Sequence, residues 1–115
     1  MVTPMSEQSR DLLPLTPAVF HILLSLAAEP KHGYAIMKEV AEQTDGELRL
    51  GPGKLYYSIQ RMLEERLIEE VPGADHPKNR RPYRITTAGR AAARAEARRL
   101  HKTLRLAAER HLLED

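Results

Sequence analysis

The sequence predicts a mainly α chain that carries one small β-hairpin and ends in a long helix. Three observations predict it. Several stretches pair a helix-start signal with apolar residues at helical spacing. A turn-rich basic segment, residues 72–82, lies between two short β-prone runs. The chain from residue 87 onward is dominated by alanine, arginine and leucine, all good helix formers. With 115 residues, the length suits one domain with a modest core.

The elements follow in order. Residues 1–14 have prolines and mixed polar residues without a period, which predicts a flexible N-terminal arm. Thr16-Pro17 starts the first helix, with a hydroxyl cap and a proline whose missing N–H costs nothing there. Ala18 to Ala28 is apolar on nearly every side, so most of its surface must be covered, and Pro30 ends it. A second helix is predicted from His32 to Thr44, with Ile36, Met37 and Val40 inward, stopped by Asp45-Gly46. Glu47-Leu48-Arg49-Leu50 alternates polar and apolar, which predicts a very short strand.

Gly51-Pro52-Gly53 is a tight turn, and a third helix is predicted from there to Arg66. Leu55, Ile59, Met62 and Leu63 form its buried face, with Lys54, Tyr57, Ser58 and Arg61 on the other side. Strands are predicted over Ile68–Val71 and Tyr83–Thr86, with Pro82 confined to a strand start or an edge. Thr86 or Thr87 then caps a helix reaching to Leu113, roughly 40 Å long. Ala93, Ala97, Leu100, Leu104, Ala107 and His111 alternate spacings of four and three, as in a coiled-coil seam. Together with Phe20 on the first helix, they are the expected dimerisation residues. A rod of that length overhangs a small core, which favours dimerisation over packing back on its own subunit.

The net charge of +2 conceals an asymmetry. Residues 1–77 hold 7 Lys/Arg against 12 Asp/Glu, while residues 78–110 hold 11 against 2. A basic half joined to an acidic half points to a polyanionic partner. Other classes are disfavoured. No cysteine is present, so disulfides and thiolate metal sites are excluded and the expected location is the cytoplasm. The five histidines are scattered without metal-site spacing, so no metal and no cofactor are expected. No apolar stretch is long enough to span a bilayer. Glu64-Glu65 and Glu69-Glu70 are sequence neighbours on surface segments rather than an acid/base couple, and no enzyme activity is expected.

Helix, turn, helix and basic hairpin make a winged helix-turn-helix, here with a long C-terminal dimerisation helix. The expected units are the arm (1–14), the DNA-binding domain (15–86) and the dimerisation helix (87–115). A helix fits the major groove of double-stranded DNA, and lysines and arginines that neutralise phosphates release counterions. The expected DNA-binding residues are Lys54, Tyr56, Tyr57, Ser58 and Arg61 on the third helix, with Lys78, Arg80 and Arg81 on the hairpin.

His32-Gly33-Tyr34-Ala35-Ile36, Leu50-Gly51-Pro52-Gly53-Lys54-Leu55-Tyr56, Leu67-Ile68-Glu69 and Arg80-Arg81-Pro82-Tyr83-Arg84-Ile85-Thr86-Thr87-Ala88-Gly89 resemble PadR-type transcriptional regulators over residues 15–90. The resemblance implies a homodimeric repressor on a palindromic operator, released by a small molecule or another signal. It also implies Tyr34, Tyr56 and the wing arginines in or beside the DNA surface. Some relatives bind flat aromatic effectors between subunits, but this chain has no tryptophan and one phenylalanine.

Three positions depart from the family pattern. Lys54 replaces a small hydroxyl residue, Arg66 stands where glycine is common, and Pro82 replaces a frequent aromatic. A positive φ at Arg66 would cost on the order of 1 kcal/mol. Tyr34 and Tyr56 remain open between DNA surface and core. The cluster from Lys78 to Arg81 has the alternative of a solvated loop. The whole chain has the alternative of a winged-helix module that binds a protein and no DNA.

Overall fold

The computed structural model describes residues 13–72 and 81–114. Four helices and a two-stranded hairpin make up the described chain: α1 (Pro17–Ala28), α2 (Gly33–Gln43), α3 (Pro52–Glu64), β1 (Ile68–Glu70), β2 (Tyr83–Ile85) and α4 (Thr87–Glu109). The mainly α fold with one hairpin is as expected.

Residues 1–12, the bulk of the expected arm, lie outside the described residues, as do wing residues Lys78 and Arg80. Leu13 packs against the core and Leu15 is buried in it.

The core is built from one face of each helix. Ile22, Leu23 and Leu26 of α1 meet Ile36 and Val40 of α2 and Leu55, Ile59 and Met62 of α3. Leu67, Ile68 and Ala92 close it from the hairpin and α4. Thr16 caps α1, its hydroxyl accepting from Val19 N.

The carboxyl end of α1 is satisfied by a residue outside it. Lys31 Nζ donates to Ser25 O at 2.6 Å and pairs with Glu39 at 3.0 Å. Its backbone also exchanges hydrogen bonds with Tyr83, which adds a one-residue bridge to the hairpin. This tie between α1 and the wing crosses more than fifty residues of chain.

The hairpin is antiparallel, with Ile68 opposite Ile85, Glu69 opposite Arg84 and Glu70 opposite Tyr83. β2 starts just after Pro82, as a residue without an N–H requires. The predicted strand at Glu47–Leu50 does not form: Leu50 is buried and Leu48 packs on the core, but among the described residues no neighbouring strand offers a ladder. Instead Leu48 N donates to Thr44 Oγ1.

Arg66 has φ 61°, the left-handed conformation that its usual glycine adopts freely. The turn there lets Leu67 N reach back to Met62 O, closing α3.

α4 begins on a double tie. Thr86 Oγ1 accepts from Gly89 N and donates to Arg66 O. A Cβ at Gly89 would fall inside the contact radius of Leu67 O, so only glycine lets α4 approach the hairpin this closely.

Ala92 and Glu96 are the next buried residues on that face. The Glu96 carboxylate accepts from Leu15 N at 3.2 Å and pairs with Arg99 at 2.6 Å. The Arg99 guanidinium holds this carboxyl below its ordinary range, more than burial raises it.

The helix ends at Glu109, short of the expected Leu113. His111 lies beyond the end with φ 61°, so it is not a helical seam residue. The helix of 23 residues spans about 35 Å.

Candidate nucleic-acid interface

α3 follows from a simple pattern. Gly51 is its N-cap and Pro52 its first residue, a start needing no side-chain cap. Leu55, Ser58, Ile59 and Met62 recur at steps of three and four and form the buried face.

Ser58 was expected on the outward face, and this is corrected: it is buried, because it lies one helical step from both Leu55 and Met62. The outward side is made by Lys54, Tyr57 and Arg61 in one row, with Tyr56 and Gln60 beside it, all exposed.

Arg61 is held in that row from both sides. It donates to Tyr57 Oη at 3.4 Å and to Glu65 Oε1 at 3.1 Å. These bonds, the tyrosine's first, keep its guanidinium pKa above the ordinary value, so it is a permanent cation. Exposed pairs of this kind are worth little in water, so an incoming phosphate can replace the glutamate.

Tyr34 stands at the first turn of α2 and is 68% exposed, which places it on the surface. Tyr56 is divided. Its residue is 42% exposed, yet its hydroxyl lies against Gly33, where a Cβ would come within 2.5 Å of it. The start of α2 and the start of α3 therefore touch through this pair. Neither N-cap, His32 or Gly51, gives its helix a side-chain hydrogen bond. Both helix starts thus keep backbone N–H groups for an anion.

On the wing, Arg81 pairs with Glu70 at 3.0 Å and Arg84 with Glu69 at 3.0 Å. The alternation of the strands puts these pairs on opposite faces of the hairpin. Arg81 shares its face with Tyr83, whose phenol burial pushes above its ordinary pKa. Each arginine therefore meets a solvent-exposed carboxylate before it meets any ligand.

Sequence reasoning missed this pairing, and it missed the partly buried Lys31 and the buried Glu96. Signals were present. Lys31 follows a helix end, where a cation is favoured. Glu96 continues the Gly89, Ala92, Ala93 face at helical spacing. Among the described residues no group of three histidines or carboxylates could hold a metal. No described helix is long and apolar enough to cross a membrane.

Comparison with known proteins fits this geometry. The sequence profile of the transcriptional regulator PadR-like family matches residues 22–95. The chain belongs to the PadR-like family of transcriptional regulators.

The match runs from α1 through the wing into α4 and covers both motifs that meet at Gly33 and Tyr56. A curated relative, an uncharacterised 37.1 kDa protein in a transposon of Streptomyces fradiae, is 38% identical over 76 residues, which is 66% of this chain. The chain spans about a fifth of that relative's length (21%).

Solved structures share the fold. A transcriptional regulator from Clostridium thermocellum superposes with a TM-score of 0.67 at 21% identity, over 95% of this chain and 97% of that one. A PadR family transcription regulator from Clostridium difficile does so with a TM-score of 0.69 at 21% identity, over 82% and 97%. RosR of H. salinarum is 25% identical, with a TM-score of 0.63, over 91% and 84%. This PadR-like chain is thus a winged helix-turn-helix protein with one C-terminal helix.

Proposed function

We propose that this chain is a homodimeric DNA-binding repressor that reads a palindromic operator and leaves it on a signal. The observation that carries the reading is the outward row of α3. Lys54, Tyr57 and Arg61 are exposed on one strip, next to two helix starts with free backbone N–H groups. Such a strip supplies base-edge and phosphate contacts in the major groove. Arg81, with Lys78 and Arg80 beyond the described residues, supplies wing contacts to the backbone. Tyr34 and Tyr56 flank the strip.

Dimerisation rests on the far half of α4. Leu104 is about half exposed there and Ala97 is exposed, with no described residue of their own subunit covering them. Leu100 and Ala107 continue that side, and Phe20 of α1 is half-buried. Ala93 packs inward on the core, so it supports the seam rather than lining it. A symmetric pair sets two α3 helices about one DNA turn apart, roughly 34–36 Å.

The test is a gel-shift titration of the dimer on DNA from the protein's own upstream region. A specific shift at moderate salt is expected. Replacing Arg80 and Arg81 together by alanine should weaken it and reduce the slope of log K against log salt by about two. A folded dimer that gives no specific shift would favour a protein-binding module instead.

A further inference from the structure

The cations of α4 are placed differently from those of the other elements. Arg61 of α3 and Arg81 and Arg84 of the wing each meet a carboxylate. On α4, Arg90, Arg94, Arg98 and Lys102 follow one another at steps of four, and Arg105 continues the row. All five are exposed. Among the described residues Arg94, Arg98, Lys102 and Arg105 have neither an ion pair nor a side-chain hydrogen bond. Arg90 anchors one end, donating to Ala27 O at 3.3 Å. From Arg90 to Arg105 the row is roughly 22 Å long.

An ordinary solvated helix face mixes both signs of charge, because like charges at i, i+4 repel. Between Arg90 and Arg105 the only acidic residue is Glu96. Glu96 is buried, and its carboxylate is taken by Leu15 N and Arg99. At about 100° per residue, Arg94 and Arg98 project from the side of α4 opposite Glu96. The row therefore keeps its whole charge toward solvent.

Its direction separates it from α3. Leu15, the partner of Glu96, lines one groove with Lys54, Tyr57 and Arg61. Glu96 thus marks the side of α4 nearest the outward strip of α3, and the row lies on the far side. α1 packs on both α3 and α4. A duplex lying along the strip of α3 leaves the row uncovered.

We infer that the row on α4 is a second, sequence-independent site for the phosphate backbone of duplex DNA, so that the protein can hold two DNA segments at once. Several unpaired cations in a line suit a dense line of phosphates, since each one bound releases counterions. A membrane-surface helix would need an apolar side free to enter lipid. Here Gly89 and Ala92 face the protein's own core, and the side of Leu104 belongs to the proposed seam. Bridging two segments rests on the DNA-binding reading above; the charge of the row does not.

The test uses the full chain and a fluorescent duplex of unrelated sequence, followed by anisotropy across a salt series. Replacing Arg94, Arg98 and Lys102 together by glutamine should weaken binding by about tenfold or more. It should lower the slope of log K against log salt by about three. Arg94→Lys, Arg98→Lys and Lys102→Arg together should restore both, and circular dichroism and light scattering check fold and assembly. In a second arm, DNA from the protein's own upstream region is immobilised and loaded with protein, and the labelled duplex is then added. Wild type should retain the label, and the glutamine variant should load equally but retain about fivefold less.

An equal salt slope in wild type and the glutamine variant overturns the site. Binding of polyglutamate through the row, with no binding of duplex, overturns it in favour of an acidic protein partner. Loss of loading on the upstream DNA in the glutamine variant overturns bridging, because the row then serves the same duplex as α3. Row-dependent binding of the unrelated duplex, with no preference for upstream DNA, overturns the operator reading alone and supports the row.

Discussion

The outward strip of α3 and the far half of α4 are both exposed, and they are exposed in opposite chemistry. α3 presents Lys54, Tyr57 and Arg61, side chains with polar tips that water solvates well. α4 beyond Glu96 presents Leu104, in line with Ala97, Leu100 and Ala107, between arginines and lysines. A polar strip is stable in water and waits for a wet partner such as DNA. An aliphatic strip costs free energy until another apolar surface covers it. The two surfaces thus suit partners of different chemistry, and the buried half of α4 fixes their relative placement.

The largest effect is expected where that placement is set. Gly89→Ala forces a Cβ into Leu67 O and the Ile85 side chain. We expect destabilisation on the order of 3 kcal/mol and a fall in Tm of roughly 10–20 °C by calorimetry. An unchanged Tm would show that α4 is not locked to the hairpin.

Next comes Leu104→Glu, which puts like charges in the proposed symmetric seam. Light scattering should show a monomer at concentrations where the parent is a dimer, with operator affinity reduced by about tenfold or more. A dimer of parental stability would move the interface elsewhere. Arg66→Gly should act the other way. It relieves a non-glycine left-handed residue and should raise stability by about 1 kcal/mol, read from the urea midpoint.

The smallest effect is pH-dependent. The carboxyl of Glu96 has its pKa lowered in the folded chain, chiefly by Arg99. Its stabilisation is therefore full above the unfolded glutamate value of about 4.3 and is lost as pH falls through the lower folded value. Urea midpoints for Glu96→Gln and wild type should differ most at neutral pH and converge in acid. A constant difference would mean the carboxylate charge plays no part.

Much of the fold was legible in the sequence because its signals are local. Thr16-Pro17, Asp45-Gly46, Gly51-Pro52 and Thr86 mark element ends through hydrogen bonds made within a few residues. Apolar steps of three and four named the buried faces of α2 and α3. The site was legible in part: Lys54, Tyr57 and Arg61 stand where periodicity placed them. Ser58 was misplaced, since a polar side chain says nothing of depth when it shares a row with Leu55 and Met62.

By itself, then, the sequence determined the order of helices and hairpin and the basic character of the wing, all properties of short stretches of chain. Only the tertiary structure decided contacts across long separations. Examples are Lys31 tied to Tyr83, Glu96 to Leu15, Tyr56 to Gly33, and Glu70 to Arg81 across the hairpin. The physical reason is that a charge or ring acquires its partner only when packing brings two elements together. The same cause denied residues 47–50 their strand: alternation prepares a ladder, but a second strand must arrive to complete it.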